Sequence, residues 1–437
     1  SATNLVARWG LNEGTGTAVN DSAGTPQNGT ITGTGYAWAD GSPFDINLAP
    51  GQPTLSAPGN GAVDQSTSPT LDVVVTDPDG DPMTVTFWGR PKTTAPDFTY
   101  VALPDTQYYS SSLNGGLPAM FDAQTQWIVD NRVSRNIAFV SQLGDCVEHG
   151  DNGGNPVEWE VADDAISLIE NPVTTGLPDG VPYGIAVGNH DQSPIGTPDG
   201  ATTVFYNQYF GESRFLGRDY YGGHYGSNND NHYQLFSASG MDFIVINFEY
   251  DTTADAAILD WADALLKAYP NRRGIAVSHW FINTGNPGSF GAQGQAVYDA
   301  LKDNPNFFLM LSGHVPGEGR RQDTFAGTTV NSLLSDYQGR TNGGNGLLRI
   351  LTFKPSLNQI QVQTYSPWTS SYETDADSQF TLSYGMGGAG FTQIAQVSGI
   401  ASGQHATTAW SGLDPGVEYE WYVTAGDGGA TTTGSTW

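Results

Sequence analysis

The sequence predicts an α/β domain carried between two halves of an all-β sandwich. Three observations predict it. Apolar runs of strand length end in polar clusters at Asp105, Asp145, Asn189, His279 and His314. Amphipathic stretches of helical spacing lie between several of those runs. Both outer parts of the chain instead alternate apolar and polar residues in β fashion.

Residues 4–44 contain Leu5-Val6-Ala7-Arg8-Trp9, Glu13-Gly14-Thr15-Gly16-Thr17 and Asp21-Ser22-Ala23-Gly24. This pattern resembles the opening of laminin-G/concanavalin-like jelly rolls. The rest of such a domain does not follow, so a partial lectin-like β appendage is expected over 1–44.

Residues 45–90 alternate in Thr70-Leu71-Asp72-Val73-Val74-Val75 and Met83-Thr84-Val85-Thr86-Phe87-Trp88. Residues 387–437 do the same in Tyr419-Glu420-Trp421-Tyr422-Val423-Thr424. Each piece resembles part of an immunoglobulin-like or fibronectin type III sandwich, and neither alone supplies the roughly seven strands needed. Joined, they predict one sandwich with residues 91–386 inserted, which is physically easy when the ends of an insert lie close together. The turn Asp77-Pro78-Asp79-Gly80-Asp81-Pro82 offers carboxylates to a structural Ca, and equally makes an ordinary Asp/Pro/Gly turn.

Within the insert, Phe121 to Val129 and Val157 to Ile169 carry helical spacing. Ile258, Trp261, Ala262, Leu265 and Leu266 follow the same stripe within 254–268. Trp127 and Trp261 are therefore assigned to packing. The strands are Tyr100-Val101-Ala102-Leu103 before Asp105, Ile137-Ala138-Phe139-Val140 before Gly144-Asp145, and Ile185-Ala186-Val187 before Gly188-Asn189-His190-Asp191. Gly274 to Ser278 precedes His279, and Phe307 to Gly313 precedes His314. Ligand sites of open α/β sheets lie at strand ends, so Asp, Asn, His and His delivered to one edge point to a metal site.

That ordered set resembles the calcineurin-like metallophosphoesterases, whose blocks read Asp-x-His, Gly-Asp, Gly-Asn-His-Asp/Glu, a lone His, and Gly-His-x-His. The match runs from Asp105 to His314. The resemblance implies a four-layer α/β/β/α sandwich and a phosphoesterase in which divalent metals acidify a water and clamp the phosphoryl group. It assigns Asp145 as the bridging ligand, with Asn189, His279 and His314 completing one coordination sphere that suits Mn, Zn or Fe. Asp105, with Gln107 beside it, would anchor the other. His190 would be the general acid and Asp191 would orient its ring.

Two positions depart from the family, and both fall on the Asp105 metal. Gln107 stands where the family has His, and Pro316 replaces the last His of Gly-His-x-His. Oxygen ligands favour Mg, Ca or Mn there, so one firm metal and one weak or absent metal are expected. Glu148, His149 and Glu318 are the nearby candidates to make up the loss, and as residue types they serve equally well as loop side chains.

The 45 acidic and 16 basic side chains give a formal charge of −29. Such a surface repels anions, so positive charge for a phosphate must come from within the site. Arg320 and Arg321 follow the His314 loop as a candidate substrate clamp, or as partners of Glu318 or Asp323. The Tyr- and Gly-rich segment 220–233 carries His224 and His232, and Tyr108-Tyr109 follows Gln107. Of these, His224 and Tyr109 are taken as candidate substrate contacts.

The acidic balance argues against nucleic-acid binding. No apolar run reaches the length of a membrane span. The single cysteine, Cys146, excludes an intramolecular disulfide and reads as a small core residue. With 56 Gly and 25 Pro, and with Ser1 read as a trimmed start, a secreted or cell-surface protein is expected. The expected function is hydrolysis of phosphomonoesters or phosphodiesters on a small molecule or polymer. The alternative is a binding or adhesion module that retains the fold and one structural metal without turnover.

Overall fold

The computed structural model of the chain describes residues 9, 11, 13–21, 26–38, 47–92, 95–198, 202–386 and 391–437. They divide into two compact units: Pro91–Gly390, and Ser1–Arg90 together with Phe391–Trp437.

The second of these is all β. Thr392–Ile400, Met83–Pro91, Tyr419–Gly426 and Thr431–Thr433 form a four-stranded sheet, and Gln404–Ala409, Thr70–Val75 and Thr54–Ala57 a three-stranded one. Strands before residue 91 thus pair with strands after residue 391, as Val85 with Val397 and Val73 with Ala406. Alternation decides the faces: Leu71, Val73 and Val75 turn inward to meet Met83, Val85, Phe87, Trp421 and Val423. In the carboxylate turn, Asp77 Oδ1 accepts the N–H groups of Asp79 (2.9 Å) and Asp81 (3.1 Å), so that carboxylate caps its own backbone. Near the amino terminus Ala18–Val19 pairs with Gly29–Thr30. Leu5-Val6-Ala7-Arg8 and Ser22-Ala23-Gly24 of the lectin-like pattern lie outside the described residues.

The α/β unit is built on two sheets, one nine-stranded and one seven-stranded. Phe98, Tyr100 and Phe139 on the smaller sheet pack against Phe243, Val245, Val277 and Leu311 on the larger. The outer face of the smaller sheet, with Val101, Val140 and Ile185, is covered by Phe121 and Ile128 of helix Pro118–Asn131 and by Trp159 and Ile166 of helix Val157–Glu170. On the larger sheet, Ile244, Ile246, Ala276 and Met310 lie under Ala262 and Leu266 of helix Ala256–Ala268 and Val297 and Leu301 of helix Ala292–Leu301. The order of layers is therefore α/β/β/α. Trp127 and Trp261 are partly buried against the two helical clusters.

Strand direction positions the site. Phe98–Leu103, Ile137–Gln142 and Tyr183–Ile185 run parallel in one sheet. Met241–Phe248, Arg273–Ser278, Phe307–Ser312 and Thr328–Asp336 run parallel in the other. Most of these strands are rich in apolar residues because both their faces are covered, Thr328–Asp336 being of mixed composition. Their polar residues accumulate at the carboxyl ends. No described helix is long and apolar enough to cross a membrane.

Candidate metal centre

Asp105, Asp145 and His279 converge there, with one ligand atom of each within 4.8 Å of the others and all three side chains buried. His279 Nδ1 lies 3.0 Å from the Leu143 carbonyl, which orients the ring and turns Nε2 toward the carboxylates. Nε2 is 2.9 Å from Asp145 Oδ2 and 3.8 Å from Asp105 Oδ2. The His314 ring centroid is 4.9 Å from that of His279, and the His314 N–H donates to both Asp105 oxygens at 3.2–3.3 Å. The Asn189 side-chain oxygen is buried without a hydrogen-bond partner. A buried acceptor left open costs roughly 1–3 kcal/mol, and two carboxylates with an imidazole are the donors a divalent cation takes. The residues present fit such an ion.

Local backbone holds these groups. Asp145 and His314 both adopt left-handed conformations, at φ 52° and 74°, where non-glycine residues persist only when their surroundings hold them. Gln142 grips the first turn, donating to the Gly144 carbonyl at 2.8 Å and accepting the Gly144 N–H at 2.7 Å. Two glycines are required by close approach. A Cβ at Gly188 would lie 2.1 Å from Asp145 Oδ1, and one at Gly313 would lie 2.1 Å from Asp105 Oδ1.

The electrostatics follow from burial of like charges. Burial raises the Asp105 carboxyl well above its usual range, and the neighbouring charge of Asp336 adds to this. Burial alone would raise Asp145 as well, but His279 and His190 hold it low. Burial disfavours the charged form of His279, yet Asp145 and Asp105 push it up to about 10. Burial brings His314 down to about 4, favouring the neutral ring that a metal ligand needs. Among the described residues, no Lys or Arg forms an ion pair with Asp105, Asp145 or Asp336. The pocket calls for a cation.

His190 lies beside the cluster. Its N–H donates to Asp145 Oδ1 at 2.8 Å, and its Nδ1 is 2.9 Å from the Glu148 carbonyl and 3.6 Å from Glu148 Oε1. Asp191 does not orient that ring. Its fully buried carboxylate accepts the Gly188 N–H at 2.8 Å and the Val147 N–H at 3.2 Å, clamping the two ligand loops together. Burial and the charge of Asp145 push Asp191 up to about 7.

Several other expectations are corrected. Arg321 is held by Asp323 (2.6 and 2.7 Å) and lies 3.8 Å over the Phe290 ring. Arg320 stacks over Phe380 at 4.3 Å and faces the Asn286 amide oxygen. Strand Gly317–Phe325 carries both away from the cluster, since Arg320 pairs with Leu333 rather than with Asp336. Tyr109 is pinned at both ends of its hydroxyl, donating to the Gly343 carbonyl (2.6 Å) and accepting the Gly346 N–H (2.9 Å). Its less buried neighbour Tyr108 is raised by burial and by the charges of Glu148, Asp336, Asp105 and Asp145. His224 ends the edge strand Tyr221–His224, three strands from that of His279, or about 14 Å at ordinary strand spacing.

None of the candidates for the missing ligands reaches the cluster as one. His149 Nδ1 is 2.8 Å from Glu158. Glu318 is bound by Arg349 and Arg340, and with Glu373 and Asp375 it forms a separate acidic group tied by these arginines. Glu148 stands against His190. Cys146 is buried and its thiol is pushed up by burial, so it stays protonated.

Sequence reading missed Asp336, Tyr250 and Trp280. Asp336 closes a strand of mixed residues, Thr328–Asp336, whose Thr, Asn and Ser positions break the apolar run that marked the recognised ligands. The Tyr250 and Trp280 rings, 5.2 and 5.4 Å from His314, carried no comparable signal.

No protein-family model matches the chain. It is 32% identical, over a 358-residue alignment that covers 76% of this chain, to the uncharacterized protein YvnB of Bacillus subtilis (strain 168). It spans only 26% of that relative. Among solved structures it is similar to a dimetal phosphatase from Danio rerio (14% identity, 66% of this chain and 99% of that one, TM-score 0.41). It is similar at the same TM-score of 0.41 to the protein described as GAP50, the anchor in the inner membrane complex of Plasmodium (12% identity, 66% of this chain and 89% of that one).

Proposed function

We propose that this chain is a secreted or cell-surface metal-dependent phosphoesterase acting on phosphomonoesters or phosphodiesters. The observation that carries the reading is the buried Asp105/Asp145/His279 group, with the open Asn189 oxygen on the loop whose His190 N–H binds Asp145. Asp145, Asn189, His279 and His314 would hold the firm ion. A bound divalent ion supplies Lewis-acid polarisation of the phosphoryl oxygens and a water acidic enough to react near neutral pH. The calcineurin-like family, its four-layer fold, and an immunoglobulin-like reading of the all-β unit with a lectin-like appendage belong to the same proposal.

This chain's own residues have definite tasks in it. His190, with Nδ1 at the Glu148 carbonyl, keeps Nε2 for donating a proton to the leaving oxygen. Glu148 Oε1 lies 3.6 Å from the same Nδ1. Asp191 keeps the Gly188 and Val147 loops in register, and with them Asn189 and Asp145. With Arg320 and Arg321 engaged elsewhere, charge on the phosphate falls to the metal and to His190, so metal dependence should be strict.

Nitrophenyl phosphate and bis-nitrophenyl phosphate, offered to protein reloaded with Mn, Zn, Fe, Mg or Ca, test the reading. Turnover lost on chelation and in Asp145→Ala is expected. Turnover indifferent to both refutes it. Pro316 and Gln107 favour a second reading, a binding module that keeps its metal and hydrolyses neither ester with any ion.

A further inference from the structure

We infer that Asp336 and Gln338 replace the two absent imidazoles, and that with Asp105 and Gln107 they form an all-oxygen subsite for a hard cation such as Mg, Ca or Mn. The inference rests on the metal reading of the centre above and not on its catalytic reading.

Strand register puts Asp336 in place. Thr328–Asp336 runs parallel to Phe307–Ser312 with Leu334 opposite Ser312. Asp336 ends its strand two residues beyond Leu334, and His314 lies in the turn just past Ser312 with its N–H on the Asp105 carboxylate, whose charge Asp336 opposes. Asp336 is fully buried and has no Lys or Arg ion pair among the described residues. Asp105 and Asp336 are thus two buried carboxylates sharing one pocket edge, which in a protein interior calls for a positive charge.

The independent observation is a pair of open amide oxygens. Gln338 is 9% exposed, donates its side-chain N–H to Asp336 Oδ2 at 3.2 Å, and leaves its own Oε1 without a partner. The backbone N–H of Gln338 also holds Asp336 Oδ1, at 2.9 Å. Gln107, 2% exposed and two residues from Asp105, likewise has an unpartnered Oε1. Amide groups normally satisfy their oxygens when buried. Six buried amide oxygens among the described residues lack a partner, and two of the six belong to this edge: Gln338, whose side-chain N–H is on Asp336, and Gln107, two positions after Asp105. Carboxylate and amide oxygens select hard cations over Zn.

Pro316 has a task in this arrangement. A Cβ at Gly339 would lie 3.3 Å from Pro316 Cβ, so the proline ring braces the loop that carries Gln338. The ligand lost from that position is replaced by one from the neighbouring strand.

Mn titration of the full chain, followed by paramagnetic resonance and by metal content per chain, tests the inference. The expected result is two Mn per wild-type chain, the tighter lost in His279→Ala. The weaker ion should bind at least tenfold less well in Asp336→Asn and in Gln338→Leu, and spin coupling between the ions should vanish. Thermal unfolding of the metal-free variants distinguishes lost ligands from lost fold. One Mn per wild-type chain, or two Mn with unchanged affinity in both folded variants, overturns the subsite. Two coupled Mn with no ester hydrolysis would leave the subsite standing and remove the catalytic reading.

Discussion

Asp145 holds His190 by its backbone: Asp145 Oδ1 accepts the His190 N–H at 2.8 Å, while Oδ2 of the same carboxylate faces His279 Nε2 at 2.9 Å. One side chain therefore ties the metal cluster to the general-acid candidate without touching the imidazole that would act.

Because that contact is to the main chain, His190→Ala should leave metal content unchanged. The loss of kcat should be about 10²–10⁴-fold for alkyl or phenyl phosphates, whose leaving oxygens need a proton. It should be much smaller for nitrophenyl phosphate. Rates across a series of leaving groups check this, and an equal loss for all of them removes His190 as the acid.

The contact of Gly188 with Asp145 makes a second prediction. In Gly188→Ala the added methyl would have to displace the Asp145 carboxylate. Overpacking of this kind costs about 1–3 kcal/mol, and metal uptake should fall together with the unfolding temperature.

Glu318 was a candidate ligand in sequence, and its surroundings now predict a different phenotype. It neutralises the buried Arg349 and also binds Arg340 at 3.0 Å. Removing one partner of a buried pair costs about 3–5 kcal/mol. Glu318→Ala should therefore lower stability in denaturant titration while the folded fraction keeps its full metal complement.

His232 should make the fold acid-sensitive. The ring is fully buried, with Nδ1 on the Asn229 carbonyl at 2.7 Å, and burial brings it down to about 4. The unfolded chain, near 6.5, takes up a proton that the folded chain refuses. The His232 contribution to stability is therefore complete above pH 6.5 and declines as pH falls toward 4, by about 3 kcal/mol in all. His232→Phe should flatten this part of the stability profile. A profile unchanged by the substitution would exclude His232 as the source.

Helix Ala256–Ala268 and strands Phe98–Leu103 and Phe307–Ser312 were legible in sequence because period and apolar runs are local properties. The strand before Asn189 was harder to place. It ends at Ile185, and Ala186-Val187 belong to the connection, where ladder hydrogen bonds rather than hydropathy set the boundary. The roles of Asp191 and Tyr109 were misread for one reason. Each side chain is spent on a partner that residue type does not announce: backbone N–H groups for Asp191 and a loop more than two hundred residues distant for Tyr109. For Arg321, sequence left a substrate clamp and a pair with Asp323 both open, and the structure has the pair.

Chain order alone established that acidic, amide and imidazole groups recur where apolar strands stop, and this is enough to direct them to one sheet edge. Which of them meet was settled by strand adjacency. Asp336 reaches the same sheet edge as His314 because its strand runs parallel beside Phe307–Ser312, and Arg320 is carried off because its strand runs back antiparallel. Pattern reports the face and the end of a strand. Neighbours, and hence ligand sets, follow from long-range pairing that no local window contains.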